Sequence, residues 1–261
     1  MTGEEYEPHL ALRHTEIPTF LRAPLARTLE DVDIALVGVP YDGGVTHRAG
    51  ARHGPREIRN MSSMMRSHHH VTRFNPFEAC RIADVGDVRF NNIYSLEEAI
   101  KDIEHFYRRL HDAEVTPLAA GGDHSISYPI LKVLGEGEAV GLVHVDAHTD
   151  TWGAFKGSKF HHGAPFRMAA EGGYLDPKRT IQIGIRGAQN TQEGWDYSLE
   201  SGMRVIFIEE LVTMGVDRVI EEARRVVGDG PTYISFDVDG LDPAYAPGTG
   251  TPEVGGITTR E

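Results

Sequence analysis

A chain of 261 residues with 40% hydrophobic composition is long enough for one large domain with a real core, and its net charge of −13 disfavours nucleic acid and anionic membranes as partners. A single cysteine, Cys80, excludes an intramolecular disulfide framework and fits a reducing compartment. No apolar run approaches the ~20 residues of a membrane span, and the acidic start Met1-Thr2-Gly3-Glu4-Glu5 is no signal peptide, so the cytoplasm is the expected location.

Residues 1 to about 30 lack strong periodicity, and Pro8, Pro18 and Pro24 break any long helix, so this stretch reads as a surface arm ahead of a domain covering residues 31–261. Asp33-Ile34-Ala35-Leu36-Val37-Gly38-Val39 is the first predicted strand. A Gly- and Arg-rich loop from Tyr41 to Pro55 follows, then a helix through Arg56-Glu57-Ile58-Arg59 to about Arg66. His68-His69-His70 reads as an exposed loop, because consecutive histidines do not easily converge on one ion from a regular element. Cys80 reads as a small buried hydrophobe. Arg81-Ile82-Ala83-Asp84-Val85-Gly86 is a second strand, and the capping box Ser95-x-x-Glu98 opens a helix to about His111.

After Val115-Thr116-Pro117-Leu118 comes His124, with a helix to about Leu134. The apolar run Ala139-Val140-Gly141-Leu142-Val143 is a buried strand, and beyond Asp150 a long glycine-containing loop runs to His161-His162-Gly163. Thr180-Ile181-Gln182-Ile183-Gly184-Ile185-Arg186 and Arg204-Val205-Ile206-Phe207-Ile208 are strands separated by a helix near Glu193 to Ser201, with Arg186 read as a structural ion pair. A helix from about Gly215 to Val227 returns to the strand Thr232-Tyr233-Ile234-Ser235-Phe236. Strand and helix alternate throughout, which predicts a mostly parallel sheet covered on both faces, a three-layer α/β/α arrangement. No Gly-x-Gly-x-x-Gly and no P-loop supports nucleotide binding.

Three of the predicted strands end in ligand-type residues: Asp123-His124-Ser125, His144-Val145-Asp146-Ala147-His148-Thr149-Asp150 and Asp237-Val238-Asp239. In an extended chain Asp146, His148 and Asp150 project the same way. Ligands of open parallel sheets bind at the carboxyl ends of strands, so the three stretches point to one constellation. Carboxylates packed so closely repel one another unless cations sit between them. An oxygen and nitrogen donor set without sulfur suits Mn²⁺, and less well Ni²⁺, Co²⁺ or Zn²⁺.

Through these motifs the chain resembles the ureohydrolases, the family of arginase and agmatinase. The resemblance rests on Gly121-Gly122-Asp123-His124-Ser125, on His144 to Asp150 and on Ser235-Phe236-Asp237-Val238-Asp239-Gly240-Leu241-Asp242-Pro243. Gly38-Val39-Pro40-Tyr41-Asp42-Gly43-Gly44, Gly50-Ala51-Arg52-His53-Gly54-Pro55 and Ala246-Pro247-Gly248-Thr249-Gly250-Thr251-Pro252 look like the agmatinase branch, and the arm around Ile17-Pro18-Thr19-Phe20-Leu21-Arg22 is similar to guanidinobutyrase and proclavaminate amidinohydrolase. The resemblance implies an arginase-like fold, hydrolysis of a guanidino compound to urea and an amine, and a pair of Mn²⁺ ions, with Ni²⁺ as the alternative. By carry-over, one ion is held by His124, Asp146, Asp150 and Asp237, and the other by Asp146, His148, Asp237 and Asp239. His162 matches the family histidine that passes a proton to the leaving amine, and Asp150 accepts one from the attacking hydroxide. His161 and Trp152 are further candidates for substrate contact. Relatives form trimers or hexamers, so a homo-oligomer is expected.

The substrate is left open among agmatine, guanidino acids such as 4-guanidinobutyrate and 3-guanidinopropionate, and free guanidine. Lys156, Lys159 and Arg48 are the cations available to a substrate carboxylate. Thr258-Thr259-Arg260-Glu261 is a second capping box with no helix after it. Relatives continue with a helix, a strand carrying a guanidinium-binding glutamate, and a final helix, so the chain is expected to be truncated at its C-terminus. A non-catalytic metal-binding paralogue and a single-zinc deacylase are the rival readings.

Overall fold

A computed structural model of the chain describes residues 12–261; the acidic start and Pro8 lie outside the described residues. The first half contains β1 (Ile34–Val39), α1 (Gly54–Ser62), α2 (Pro76–Ala79), β2 (Ile82–Asp87), α3 (Leu96–Asp112), β3 (Thr116–Gly121) and α4 (Ser127–Leu134). The second contains β4 (Val140–Val145), α5 (Pro165–Glu171), β5 (Leu175–Ile185), α6 (Glu193–Ser201), β6 (Arg204–Phe207), α7 (Ile208–Met214), α8 (Val216–Val227) and β7 (Thr232–Phe236). Helices α5 and α7 fall where the sequence offers no capping signal ahead of them, and neither has a side-chain cap in the structure.

Every pairing between these strands is parallel, and the strand orders are β2-β1-β3 and β6-β5-β4-β7. The alternation of strand and helix thus gives the expected parallel, helix-covered architecture, but as two sheets. The division falls between β3 and β7, each of which has one edge unpaired among the described residues. Leu118 on β3 is 58% exposed, and Ile234 and Phe236 on β7 are 73% and 57% exposed, because no third strand covers them there.

Helix α3 shows how the layers hold. Ser95 accepts a hydrogen bond from the Glu98 N–H at its N-terminus, as the capping box predicts. Its buried positions Ala99, Ile103, Tyr107 and Leu110 recur at helical spacing and pack on Val37 and Val39 of β1. Burying each of the larger side chains contributes about 1.5–3 kcal/mol. A second core joins β5 and β6 to α7 and α8, and a third joins β4 to α4 and α5.

The arm expected at the surface is anchored. Fully buried Asp84 on β2 accepts the Phe20 N–H at 2.9 Å and the Arg59 guanidinium at 2.8 Å, while that guanidinium lies 4.0 Å above the Phe20 ring. A buried carboxylate is stable only with such donors, so the arm and α1 satisfy Asp84 together. Cys80 is half-buried beside Phe20, Leu36 and Ile82. His68, His69 and His70 are exposed, as expected. No helix among the described residues is long and apolar enough to cross a membrane.

Candidate metal centre

The carboxyl ends of β3, β4 and β7 deliver their acidic and imidazole side chains to one place. After β3 the chain must turn sharply at Gly122, where φ is +78° and an added Cβ would lie 2.5 Å from the Val39 carbonyl oxygen. Asp123 then caps a short 3₁₀ turn by accepting the Ser125 N–H, and also accepts the Gly44 N–H at 2.8 Å, which ties the loop after β1 to the site. Beyond β7, Asp237 accepts the Asp239 N–H and starts a second 3₁₀ turn.

The middle stretch is not an extended strand continued. Strand β4 ends at Val145, the chain bends through residues 146–148, and Asp150 adopts a φ of +50°. Asp146, His148 and Asp150 do meet, but through this bend rather than through strand alternation, because the peptide after β4 turns back toward β5 and β7. The Asp146 N–H donates to the Ile183 carbonyl and the Ala147 N–H to Asp239 Oδ1, which stitches the bend to both neighbouring strands.

His124 sits at the centre. Its Nδ1 lies 2.8 Å from Asp150 Oδ2, 3.2 Å from Asp146 Oδ2 and 3.3 Å from Asp237 Oδ2, while its Nε2 lies 2.8 Å from Ser235 Oγ. The buried Nδ1 makes no hydrogen bond of good geometry with any of the three carboxylates. Next to it, His148 Nδ1 is 3.2 Å from Asp239 Oδ2 and 3.5 Å from Asp146 Oδ1. Two sets of metal-type ligand atoms overlap here, His124 with His144 and Asp146, and Asp146 with His148 and Asp239, so Asp146 belongs to both. All six metal-ligand candidates from the sequence are thereby brought together.

The electrostatics call for added positive charge. Burial lowers the proton affinity of His148, yet its contacts with Asp146 and Asp239 outweigh this and push its pKa up to about 12. His124 is likewise raised, against burial, by Asp146, Asp150 and Asp237. Burial, reinforced by the neighbouring Asp146 charge, raises Asp239 to about 8. Protons thus occupy a cluster of four carboxylates and two imidazoles that contains no thiolate. An orphaned buried imidazole nitrogen facing three carboxylates is what divalent cations would fit.

A cleft of about 970 Å³ opens over this cluster between β3 and β7, lined by His124, Asp237, Asp239, His162, His47 and Arg48 among others. His162 faces it, with Nε2 2.7 Å from Thr46 Oγ1 and its N–H donated to the Gly44 carbonyl. His161 is turned away: its Nδ1 accepts the Gly163 N–H and its Nε2 lies 2.9 Å from the Gly153 carbonyl oxygen, so it holds the loop. Trp152 does not line the cleft and packs against Phe155 and Gly194. Of the cations considered for a substrate carboxylate, Arg48 lines the cleft; Lys156 and Lys159 lie instead over the Phe155 and Phe160 rings.

Several residues of the centre have no role in the sequence reading. His144 Nε2 lies 2.7 Å from Asp146 Oδ2, Glu253 approaches His148, and Thr251 donates to Asp239 Oδ2 at 3.2 Å. Among the described residues Arg186 forms no side-chain ion pair; its guanidinium donates to the backbone carbonyls of Asp239, Gly240, Leu241 and Glu253. Gln182, a lone polar residue between Ile181 and Ile183, is the one whose pattern could have drawn attention.

Comparison with known proteins gives a consistent result. Residues 32–261 match the Arginase family model. Guanidinopropionase from Pseudomonas aeruginosa is 52% identical over 250 residues, covering 95% of this chain and 78% of the relative. Mitochondrial agmatinase from Gallus gallus is 46% identical over 95% of this chain and 73% of its own length. Among solved structures, proclavaminate amidino hydrolase from Streptomyces clavuligerus superimposes with a TM-score of 0.92 at 37% identity, covering 96% of this chain and 83% of that one.

Proposed function

The chain belongs to the arginase family, and from that premise we propose that it hydrolyses a guanidino compound to urea and an amine in the cleft above the His-Asp cluster, with a pair of divalent ions, Mn²⁺ in preference to Ni²⁺. The observation that carries this reading is the convergence of Asp146, Asp150 and Asp237 on the buried Nδ1 of His124, with His148 and Asp239 alongside. His124 and Asp150 would hold one ion, His148 and Asp239 the other, and Asp146 and Asp237 both. When bound, two such ions lower the pKa of water enough to furnish hydroxide near neutral pH and stabilise charge that develops on attack.

The remaining work falls to side chains. A guanidinium carbon is a weak electrophile because its charge is delocalised, so the substrate must be held with that carbon over the cluster, away from bulk water. Water adds its oxygen to the carbon, the C–N bond to the alkyl chain breaks, and the departing nitrogen must gain a proton. His162 lines the cleft, and its imidazole is the side chain there that would supply that proton. Asp150, already within 2.8 Å of an imidazole nitrogen, is placed to take up the proton released by the attacking water.

For the substrate we favour a guanidino acid over agmatine. Arg48 in the cleft wall offers a carboxylate partner, and relatives named guanidinopropionase and guanidinobutyrase are 52% and 45% identical to the chain. A homo-oligomer is part of the same proposal. Urea release from 3-guanidinopropionate, 4-guanidinobutyrate, agmatine and guanidine, after Mn²⁺ or Ni²⁺ loading, tests the reading. Two bound ions with no urea from any of these compounds would move it to a different substrate or a non-catalytic role.

A further inference from the structure

We propose that Gln182 and His144 form a buried relay that orients the carboxylate of Asp146, one of the two residues assigned to both ions. His144 and Gln182 are fully buried and stand side by side as register partners of β4 and β5. The carboxamide nitrogen of Gln182 lies 2.5 Å from the Thr149 carbonyl oxygen, which fixes which end of the amide faces that oxygen, since two acceptors would repel. The same nitrogen lies 3.2 Å from His144 Nδ1. One amide hydrogen goes to each partner, so Nδ1 is an acceptor and the ring hydrogen sits on Nε2. From there it is donated to Asp146 Oδ2 at 2.7 Å.

The ring has no freedom to turn. Phe166 packs on it with centroids 4.4 Å apart, and the His124 ring meets it edge-on at 5.3 Å. Asp146 therefore receives a fixed donor on each oxygen, His144 on Oδ2 and the His148 N–H on Oδ1 at 2.6 Å. A carboxylate offers about four lone-pair positions, so one on each oxygen remains directed at the cluster. A carboxylate that would serve two ions, one through each oxygen, needs both oxygens aimed at once, and the relay supplies that aim. An apolar residue at 182 would leave both the Thr149 carbonyl and His144 Nδ1 without a donor in a dry interior.

The proposal rests on the metal reading for its purpose but not for its geometry, and the two can fail separately. ¹⁵N NMR of histidine-labelled protein, metal-free and after loading with diamagnetic Zn²⁺, reads the tautomer of His144 directly. A hydrogen on Nε2 in both states is the expected result. A hydrogen on Nδ1, or a metal-bound ring, overturns the relay and makes His144 a ligand instead. Gln182→Met keeps side-chain length and removes the donor. Metal titration of Q182M is expected to show affinity lowered 10–100-fold for both ions, with Gln182→Glu failing to restore it because the carboxylate cannot donate to Nδ1. Wild-type affinity in Q182M overturns the proposal, and if that variant does not fold, the wild-type NMR spectrum decides alone. Absence of metal uptake by the unaltered protein, with the Nε2 tautomer intact, would sink the metal reading and leave the hydrogen-bond geometry standing.

Discussion

Glu253 Oε1 lies 3.4 Å from Nε2 of His148, whose other ring nitrogen faces Asp239 Oδ2 at 3.2 Å. A carboxylate at one nitrogen of an imidazole favours the hydrogen there and frees the other nitrogen's lone pair for an ion. Glu253→Ala is therefore expected to weaken binding of one ion of the pair by about tenfold, leaving the His124 side little changed. Metal titration followed by native mass spectrometry checks this. Equal loss of both ions, or of neither, contradicts it.

Thr46 holds His162 at the cleft through the 2.7 Å contact between Oγ1 and Nε2. Positioned proton transfer contributes roughly 10²–10⁴-fold to a rate. Replacing His162 with alanine is expected to cost about that much in kcat with metal content unchanged. Thr46→Val, which keeps shape but loses the hydroxyl, is expected to cost less, about tenfold. Full activity in H162A would exclude it as the acid.

The pH dependence of the metal-free protein has a definite sign. His148 and Asp239 both have folded-state pKa values above their ordinary ones, at about 12 and about 8. Between the ordinary and the raised value the folded state binds more protons than the unfolded state, so stability falls as pH rises. Asp239 loses it from about pH 4 to 8, and His148 from about pH 6.5 to 12. Asp146, depressed against burial by His144, His124 and His148, acts in the opposite sense but only below about pH 4. The Tm of chelator-treated protein is expected to drop between pH 6 and 8.5. Metal must displace the protons on His124 and His148, so loading should release protons, seen by calorimetry in buffers of different ionisation enthalpy, and should weaken as pH falls. A flat Tm in the metal-free protein would contradict the cluster's proposed charge state.

The sequence made the meeting of these six side chains legible because their residue types are restricted and because each stretch directly follows the end of a strand. It also located nearly every strand, since apolar runs such as Ala35 to Val39 have little alternative to burial. What it could not carry was contact across distance. Glu253 is 105 residues from His148, and only the turn after Asp239 brings it back. Arg186 misled for a related reason: an arginine suggests a carboxylate partner, whereas here its donors reach main-chain oxygens, which any residue type provides. The division into two sheets was equally hidden, because hydrophobic β3 and β7 read the same whether or not a neighbour pairs with their outer edges.

Arg186 then becomes the sharpest test of how the second half of the centre is built. Its guanidinium reaches the carbonyls of Asp239 at 2.7 Å, Gly240 at 3.1 Å, Leu241 at 3.2 Å and Glu253 at 2.8 Å, clamping the turn that carries Asp239 to the loop that carries Glu253. Gly256 makes room for it, since an added Cβ there would lie 2.5 Å from Nη2. Burial pushes the pKa of Arg186 down, against the attraction of Asp239 and Glu253, but an arginine stays charged at neutral pH even so. Losing it leaves carbonyls without donors, at about 2–4 kcal/mol for Arg186→Ala. Lysine has one ammonium where the fork has several separated hydrogens, so Arg186→Lys should recover little of the loss. Denaturant melts give the stability, and metal titration should show the His148 side weakened in both variants while the His124 side persists. If lysine restores stability and both ions bind as before, the clamp is only a charge, and its geometry is not what positions Asp239.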